Sequence, residues 1–166
     1  MITLAYTIRR ALLVAPLFVF VLLTSGCNYP LFDSTLFSDD AWIASDGDSY
    51  RYYRLTQTAD STRAQLSFSG FYGKHSVWSI EATGETTIML DLDISADLRG
   101  RYKVCFVAAD KQVLSLESQP GRSSHALELA AGKHYIVLVG DAASGSITLH
   151  FYHDPEPRPY EIKILL

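Results

Sequence analysis

The chain has 166 residues, 48% of them hydrophobic and 12% aromatic, with 14 basic and 18 acidic side chains and a net charge of −4. That length suffices for one domain with a core of its own. The acidic balance argues against nucleic acid as a partner and against electrostatic binding to anionic lipid, since no basic patch offsets phosphate charge.

The N-terminus has three zones. Met1 to Arg10 carries only two charges, Arg9 and Arg10; Ala11 to Leu23 (ALLVAPLFVFVLL) carries none; Thr24, Ser25 and Gly26 are small, and Cys27 follows. A positive head, an apolar centre and a small-residue end mark a secretory signal. The apolar run is shorter than the roughly 20 residues a spanning helix needs, and Pro16 interrupts it, so a cleaved signal is expected rather than a permanent span. From Cys27 onward the chain holds 12 basic and 18 acidic residues, a net of −6.

The junction Leu23-Thr24-Ser25-Gly26-Cys27 resembles the lipobox of bacterial lipoproteins, with Thr24 where Leu is commoner. The resemblance implies that the Cys27 sulfur takes a diacylglycerol, that residues 1–26 are removed, and that the new amino group is acylated. Several acyl chains anchor a protein stably, whereas one is marginal. Asn28 is not the aspartate that commonly retains such proteins at the inner membrane. The implied address is therefore the periplasmic side of the outer membrane in a two-membrane cell, and otherwise the outer face of the cell membrane. The alternative is an ordinary secreted protein in which Cys27 pairs with Cys105. If Cys27 is lipidated, Cys105, in the strand-like run YKVCFVA, is expected to be a buried small hydrophobe.

Residues 27–47 read as a lipidated cysteine and tether, part of which can pack on the domain through Leu36, Phe37, Trp42 and Ile43. Residues 48–166 read as the folded domain. Its candidate strands are SYRYYRLTQ, RAQLSFSGF, HSVWSIEA, ETTIMLDLDI, RYKVCFVAA, KQVLSLES, SHALELA, KHYIVLVG, GSITLHFYH and PYEIKILL, separated by Gly-, Asp- and Pro-bearing turns. The rhythm predicts an all-β fold, an antiparallel β-sandwich of immunoglobulin-like or jelly-roll-like kind. Alternation puts Ile88, Leu90, Leu92 and Ile94 on an inner face and Met89, Asp91 and Asp93 on a wet one. Likewise Leu127 and Leu129, and Ile147, Leu149 and Phe151, face inward. KHYIVLVG and YKVCFVAA are apolar on both faces and need cover on both, from the tether or a terminal strand.

Between Ser69 and Phe151 a Trp-containing strand, an Asp-x-Asp strand, a Gly-x-aromatic-x-apolar strand and a Gly-x-x-x-aromatic strand ending in Val-Gly follow one another. This pattern is similar to a small β-sandwich of uncharacterised bacterial lipoproteins, a resemblance that implies a fold more than a function.

Catalytic and metal motifs are sparse. Asp91 and Asp93 offer too few oxygens for Ca²⁺, which takes six to eight. Asp46-Gly47-Asp48-Ser49 lacks the glutamate of a Ca²⁺ loop. The five histidines, His75, His125, His134, His150 and His153, are loosely spaced for zinc. There is no Gly-x-Ser-x-Gly, phosphate loop or dinucleotide fingerprint. Neither a catalytic residue, a metal ligand nor a cofactor is assigned. Tyrosines are the candidate surface: Tyr50, Tyr52, Tyr53, Tyr72 and Tyr152, with Tyr50 and Tyr52 expected on one face of a single strand and Tyr53 on the other. The expected role is a membrane-anchored, non-enzymatic binding or structural module of the cell envelope, with an envelope protein or glycan as its partner. A carbohydrate-binding module for envelope glycans is the alternative, and a small metal-binding protein or enzyme the third reading.

Overall fold

The computed structural model describes residues 33–95, 99–152 and 159–165. The expected signal peptide, Cys27 and the first part of the expected tether lie outside them, as do His153, Asp154, Pro155, Pro157 and Leu166. The described residues form nine strands of one antiparallel sheet. These are β1 (Ser49–Arg51), β2 (Arg54–Ala59), β3 (Arg63–Ala82), β4 (Thr86–Ile94), β5 (Arg99–Val107), β6 (Val113–Glu117), β7 (Gly121–Leu129), β8 (Gly132–Tyr152) and β9 (Tyr160–Ile164).

Two strands are long enough to serve two layers. The first half of β3 pairs with β2 and with the second half of β8, which also pairs with β4, and β4 pairs with β7. That is the first layer. The second half of β3 pairs with β1 and β9 and with the first half of β8, which also pairs with β5, and β5 pairs with β6. That is the second layer. The rings of Trp78, from the second layer, and Phe151, from the first, meet with centroids 4.7 Å apart. The fold is an all-β antiparallel sandwich.

The alternation read from sequence fits the layers. Ile88, Leu90, Leu92, Ile94, Leu127, Leu129, Ile147, Leu149 and Phe151 are all buried in one core with Trp78, Ile80, Val104, Phe106 and Ile136. Segmentation differs in three places. RAQLSFSGF and HSVWSIEA are one strand, and so are KHYIVLVG and GSITLHFYH, because their glycines make bends within a strand rather than turns between strands. The β3–β8 register shifts between Phe68 and Phe71 and again before Gly73. Gly73 has φ +106°, and a Cβ there would lie 2.0 Å from the Ser49 carbonyl oxygen, so only glycine fits the bend. A Cβ on Gly140 would lie 2.2 Å from the ring of Phe71. In contrast SYRYYRLTQ, expected as one strand, is broken at Tyr52 and Tyr53, since its partner β3 bends there.

The second layer is apolar on both faces, as its sequence required, and residues 33–47 supply the outer cover. A 3₁₀ turn, Ser34–Ser38, is capped by Asp33, whose side chain accepts from the Thr35 backbone N–H. A one-turn helix, α1 (Asp40–Ile43), is capped by Asp39, which accepts from the Trp42 N–H. Ile43 and Ala44 are buried with Cys105, Val107, Val137 and Val139, and Phe37 and Trp42 pack against this second core. Burying Ile43 is worth about 1.5–3 kcal/mol. Residues 33–47 are thus part of the folded unit rather than free tether.

Candidate ligand-binding surfaces

Four of the five singled-out tyrosines gather where β1 gives way to β2. Tyr50 is 48% exposed and stacks on His75 with centroids 4.1 Å apart. Tyr52 stacks on Phe71 at 4.5 Å, and its hydroxyl lies 2.8 Å from His75 Nδ1. It is half-buried against the core, which pushes its phenol pKa upward, so its ring serves packing more than a surface. Tyr50 and Tyr52 do meet, at 5.5 Å. Tyr53 is 80% exposed with the Arg54 guanidinium 5.7 Å from its ring, and the half-buried Tyr72 lies under Arg51 at 4.6 Å.

Tyr152 lies elsewhere, on the outer face of the first layer, and its setting there is richer. Register aligns side chains from four strands into rows. Arg63 on β3 stands opposite His150 on β8, His150 opposite Asp91 on β4, and Asp91 opposite Ser124 on β7. The next row runs Gln65, Thr148, Asp93, Arg122. Tyr152 is one step along β8 from His150, 54% exposed, and its ring meets the imidazole edge-on at 4.6 Å. With Tyr152, and without Gln65, these rows line a groove of about 560 Å³.

The carboxylates of this groove are engaged. Asp91 accepts a hydrogen bond from Ser124 Oγ at 2.6 Å and another from the Tyr152 hydroxyl, and both hold its pKa below the ordinary carboxylate value. Asp93 accepts from Arg122 Nε at 2.8 Å. Arg63 makes no ion pair among the described residues. The groove therefore offers an aromatic face, fixed acceptors, a free guanidinium and hydroxyls on one rigid surface. Sequence reading singled out Tyr152 as a surface candidate and put Asp91, Asp93, Thr148 and His150 on wet faces, but it did not group them or place Arg63, Arg122 and Ser124 beside them. Alternation assigns each to an outer face, but only register makes them neighbours.

The other titratable candidates are accounted for by structure. Asp46 pairs with Lys111 at 2.7 Å, and Asp48 accepts from the N–H and the hydroxyl of Ser76, so the Asp46–Ser49 stretch is a tied turn. Cys105 is a buried free thiol, pushed up to about 12 by desolvation. No group of three or more His, Cys, Asp or Glu side chains among the described residues is placed to share a metal ion.

A second concavity of about 870 Å³ opens at one end of the sandwich, where the β3–β4, β5–β6 and β7–β8 connections converge. Glu85, Asp110, Gln112, Glu128 and His134 are among its lining residues.

No family model matches the chain, and no curated protein does. Among solved structures it is similar to an exo-β-1,3-galactanase from Phanerochaete chrysosporium, at 12% identity and a TM-score of 0.38, over 63% of this chain and 27% of that one. It is also similar to a family 35 carbohydrate-binding module, Xyl-CBM35, solved with a glucuronic acid-containing disaccharide, at 11% identity and a TM-score of 0.37, over 70% of this chain and 81% of that one. A family 35 module from an environmental isolate matches at 14% identity and a TM-score of 0.35, over 71% and 83%. The chain spans about a quarter of the galactanase's length. Likeness at these levels says nothing of ligand.

Proposed function

We propose that this protein is a non-enzymatic binding module, held at a membrane by lipid on Cys27, that takes an envelope glycan on the outer face of its first layer. The observation that carries the reading is the pair of cross-strand rows beside Tyr152. A sugar ring has an apolar C–H face and a rim of hydroxyls. Tyr152 supplies a flat apolar surface with a polar tip. Asp91, Asp93, Ser124 and Thr148 supply acceptors, and Arg63 and Arg122 supply donors in a fixed fork. All of them stand on strands, which hold position better than loops do. The address is the periplasmic side of the outer membrane in a two-membrane cell, or the outer face of the cell membrane in a single-membrane one.

The test uses the full-length protein in detergent, on a glycan array and by calorimetry, beside Tyr152→Ala and Arg63→Ala. Binding of an envelope glycan is expected, with a loss of about tenfold in Tyr152→Ala, equivalent to about 1.4 kcal/mol. Absence of any glycan ligand, or equal binding by both folded variants, rejects the reading. Turnover of a bound glycan rejects its non-enzymatic part. For the anchor, fatty-acid labelling should mark the wild type, while Cys27→Ser should lose the label and leave the membrane fraction.

A second reading, docking of an envelope protein, is favoured by one feature. Tyr53 is 80% exposed and flanked by Arg51 and Arg54, and Tyr and Arg are the residues that dominate protein interfaces. A pull-down that retains a partner with Tyr152→Ala and loses it with Tyr53→Ala identifies this corner instead.

A further inference from the structure

The first layer ends at β7 on one side, and that edge is open. β7 pairs with β4 over nine residues, Gly121 to Leu129, with no break in register. No other backbone hydrogen bond engages Gly121–Leu129 among the described residues. Alternate N–H and C=O groups of β7 point away from β4 and stand ready for another strand. Sheet edges are ordinarily blunted by short length, by lysine or proline, or by a bulge. The other edges here are short: β2 has six residues, β6 and β9 five each, and β1 three. β7 (GRSSHALEL) is longer than any of them and carries neither lysine, proline nor a register shift.

The sequence of this edge is complementary to itself. Laid antiparallel against a second GRSSHALEL with all nine residues overlapping, it has its centre at His125 and sets Gly121 opposite Leu129. The acidic and basic residues of β7 are Arg122 and Glu128, and this register sets each opposite the other, twice. Both are exposed, and alternation puts both on the outer face. Arg122 gives its Nε to Asp93, and no other bond of its guanidinium engages a described residue. Glu128 is in no ion pair among the described residues. Between them, the small side chains of Ser124 and Ala126 fall opposite each other and let the strands close. Sliding the register by one residue on each strand, in either direction, shortens the overlap and separates the charges.

We infer that β7 is a dimer interface, pairing antiparallel with β7 of a second copy of this chain about a two-fold axis at His125. Such an interface is isologous and closed, so it makes dimers rather than filaments. It adds roughly eight to ten backbone hydrogen bonds. Opposite charges directly across an antiparallel pair favour it, and like charges there oppose it. The axis runs through the sheet from face to face, so the outer faces of the two first layers lie on the same side. Arg122 and Ser124 also line the groove beside Tyr152, and pairing sets the two grooves next to each other across the seam.

The experiment is sedimentation of the full-length protein in detergent over a range of concentrations, with hydrogen exchange read on the strand amides. A monomer–dimer equilibrium is expected, and part of the amides of residues 121–129 should exchange more slowly as concentration rises while those of β2 stay unchanged. Arg122→Glu sets two acidic residues opposite each other at both charged pairs, and Glu128→Arg sets two basic ones. Each variant alone should dimerise about tenfold more weakly. Mixing the two variants restores opposite charges at both pairs, so the mixture should dimerise as the wild type does, which misfolded chains would not. No glycan is present in any arm, so the outcome does not depend on the glycan reading. A protein that stays monomeric, a dimer whose β7 amides exchange as in the monomer, equal dimerisation by the single variants, or no rescue on mixing overturns the inference. So does protection of β7 that arises only on adding an envelope extract, which would give the edge to a strand of another protein.

Discussion

The ammonium group of Lys74 lies 2.7 Å from the carbonyl oxygen of Ser45, on the outer face of the second layer. It also donates to the Trp42 carbonyl at 3.0 Å and to Ser45 Oγ at 2.9 Å. These carbonyls end α1, where helix oxygens lack partners and a positive charge is favoured. Lys74 is only 2% exposed, and burial pulls its pKa below the ordinary lysine value. One side chain of β3 thus ties residues 33–47 to the sheet. Lys74→Met keeps the apolar stem and removes the donors. Backbone amides of residues 40–47 should then exchange faster with solvent while those of β4 and β7 stay protected. Unchanged exchange across 40–47 would show that apolar packing alone holds the segment.

Ile43 supplies that packing. Ile43→Ala should destabilise by about 3 kcal/mol through lost burial and the cavity left behind. Because Ile43 shares a core with Cys105, the same change should speed reaction of the Cys105 thiol with a maleimide under native conditions. A stability loss without faster labelling would separate the two residues.

Cys105 itself gives stability an alkaline dependence. Its thiol titrates near 9.0 in an unfolded chain and near 12 in the folded protein, because burial disfavours the thiolate. Between these values the folded state holds a proton that the unfolded state has released. The stability due to this group is therefore complete below pH 9 and is lost as pH rises toward 12, by up to about 4 kcal/mol. Burial shifts Tyr52 and Tyr102 in the same direction, and a comparison with Cys105→Ala cancels them. Wild type should be the more stable by urea unfolding at pH 7, and the difference should shrink or reverse by pH 11. A difference constant over that range is incompatible with a buried thiol.

The faces of β4, β7 and the end of β8 were legible because each has one wet side and one dry side, so Ile88, Leu90 and Leu149 declare themselves by alternation alone. Val137 and Val139, beside inward Ile136 and Leu138, declared that a second cover was needed, and Trp42 and Ile43 stood out as residues able to give it. The bends were not legible, since Gly70, Gly73 and Gly145 read equally as turns or as kinks inside a strand. The groove was legible only in part. Tyr152 and Asp91 could be placed on wet faces, but Ser124 lies 33 positions from the Asp91 it bonds, and such pairing depends on register. The sandwich-end cavity left no local pattern, because its lining is drawn from three separate connections and the strand ends beside them.

Strand β9 closes one edge of β3. Its five residues pair with Trp78 to Ala82, Leu165 donates to the Val77 carbonyl, and Thr83 donates to the Pro159 carbonyl from both N–H and hydroxyl. The edge is partly apolar, with Tyr160 and Ile162 packed on the core. Deleting residues 159–166 should lower the melting temperature by about 5 °C or more, the equivalent of a small loss of buried area and ladder bonds. An unchanged melting curve would mark β9 as a passive tail.

The β2–β3 hairpin joins the two layers through one tryptophan. Trp78, fully buried, donates from Nε1 to the Asp60 carbonyl at 2.9 Å. The Asp60 side chain in turn accepts from Thr62 N–H and Oγ, each at 2.7 Å, and from Arg63 N–H at 2.8 Å. Those bonds hold its pKa at about 2, below the ordinary 3.8. The sign follows from proton counting. Between 3.8 and about 2 the unfolded chain takes up a proton that the folded hairpin refuses, so the stability from this turn is complete above 3.8 and is lost as pH falls through about 2. Asp60→Asn keeps an acceptor oxygen and removes the charge. Wild type should melt higher than Asp60→Asn at pH 5, and the gap should narrow steadily toward pH 2. Trp78→Phe, which removes the donor and leaves space beside Phe151, should cost about 2–3 kcal/mol at either pH. A gap between wild type and Asp60→Asn that stays constant from pH 5 to pH 2 would mean that the Asp60 charge contributes nothing to the hairpin.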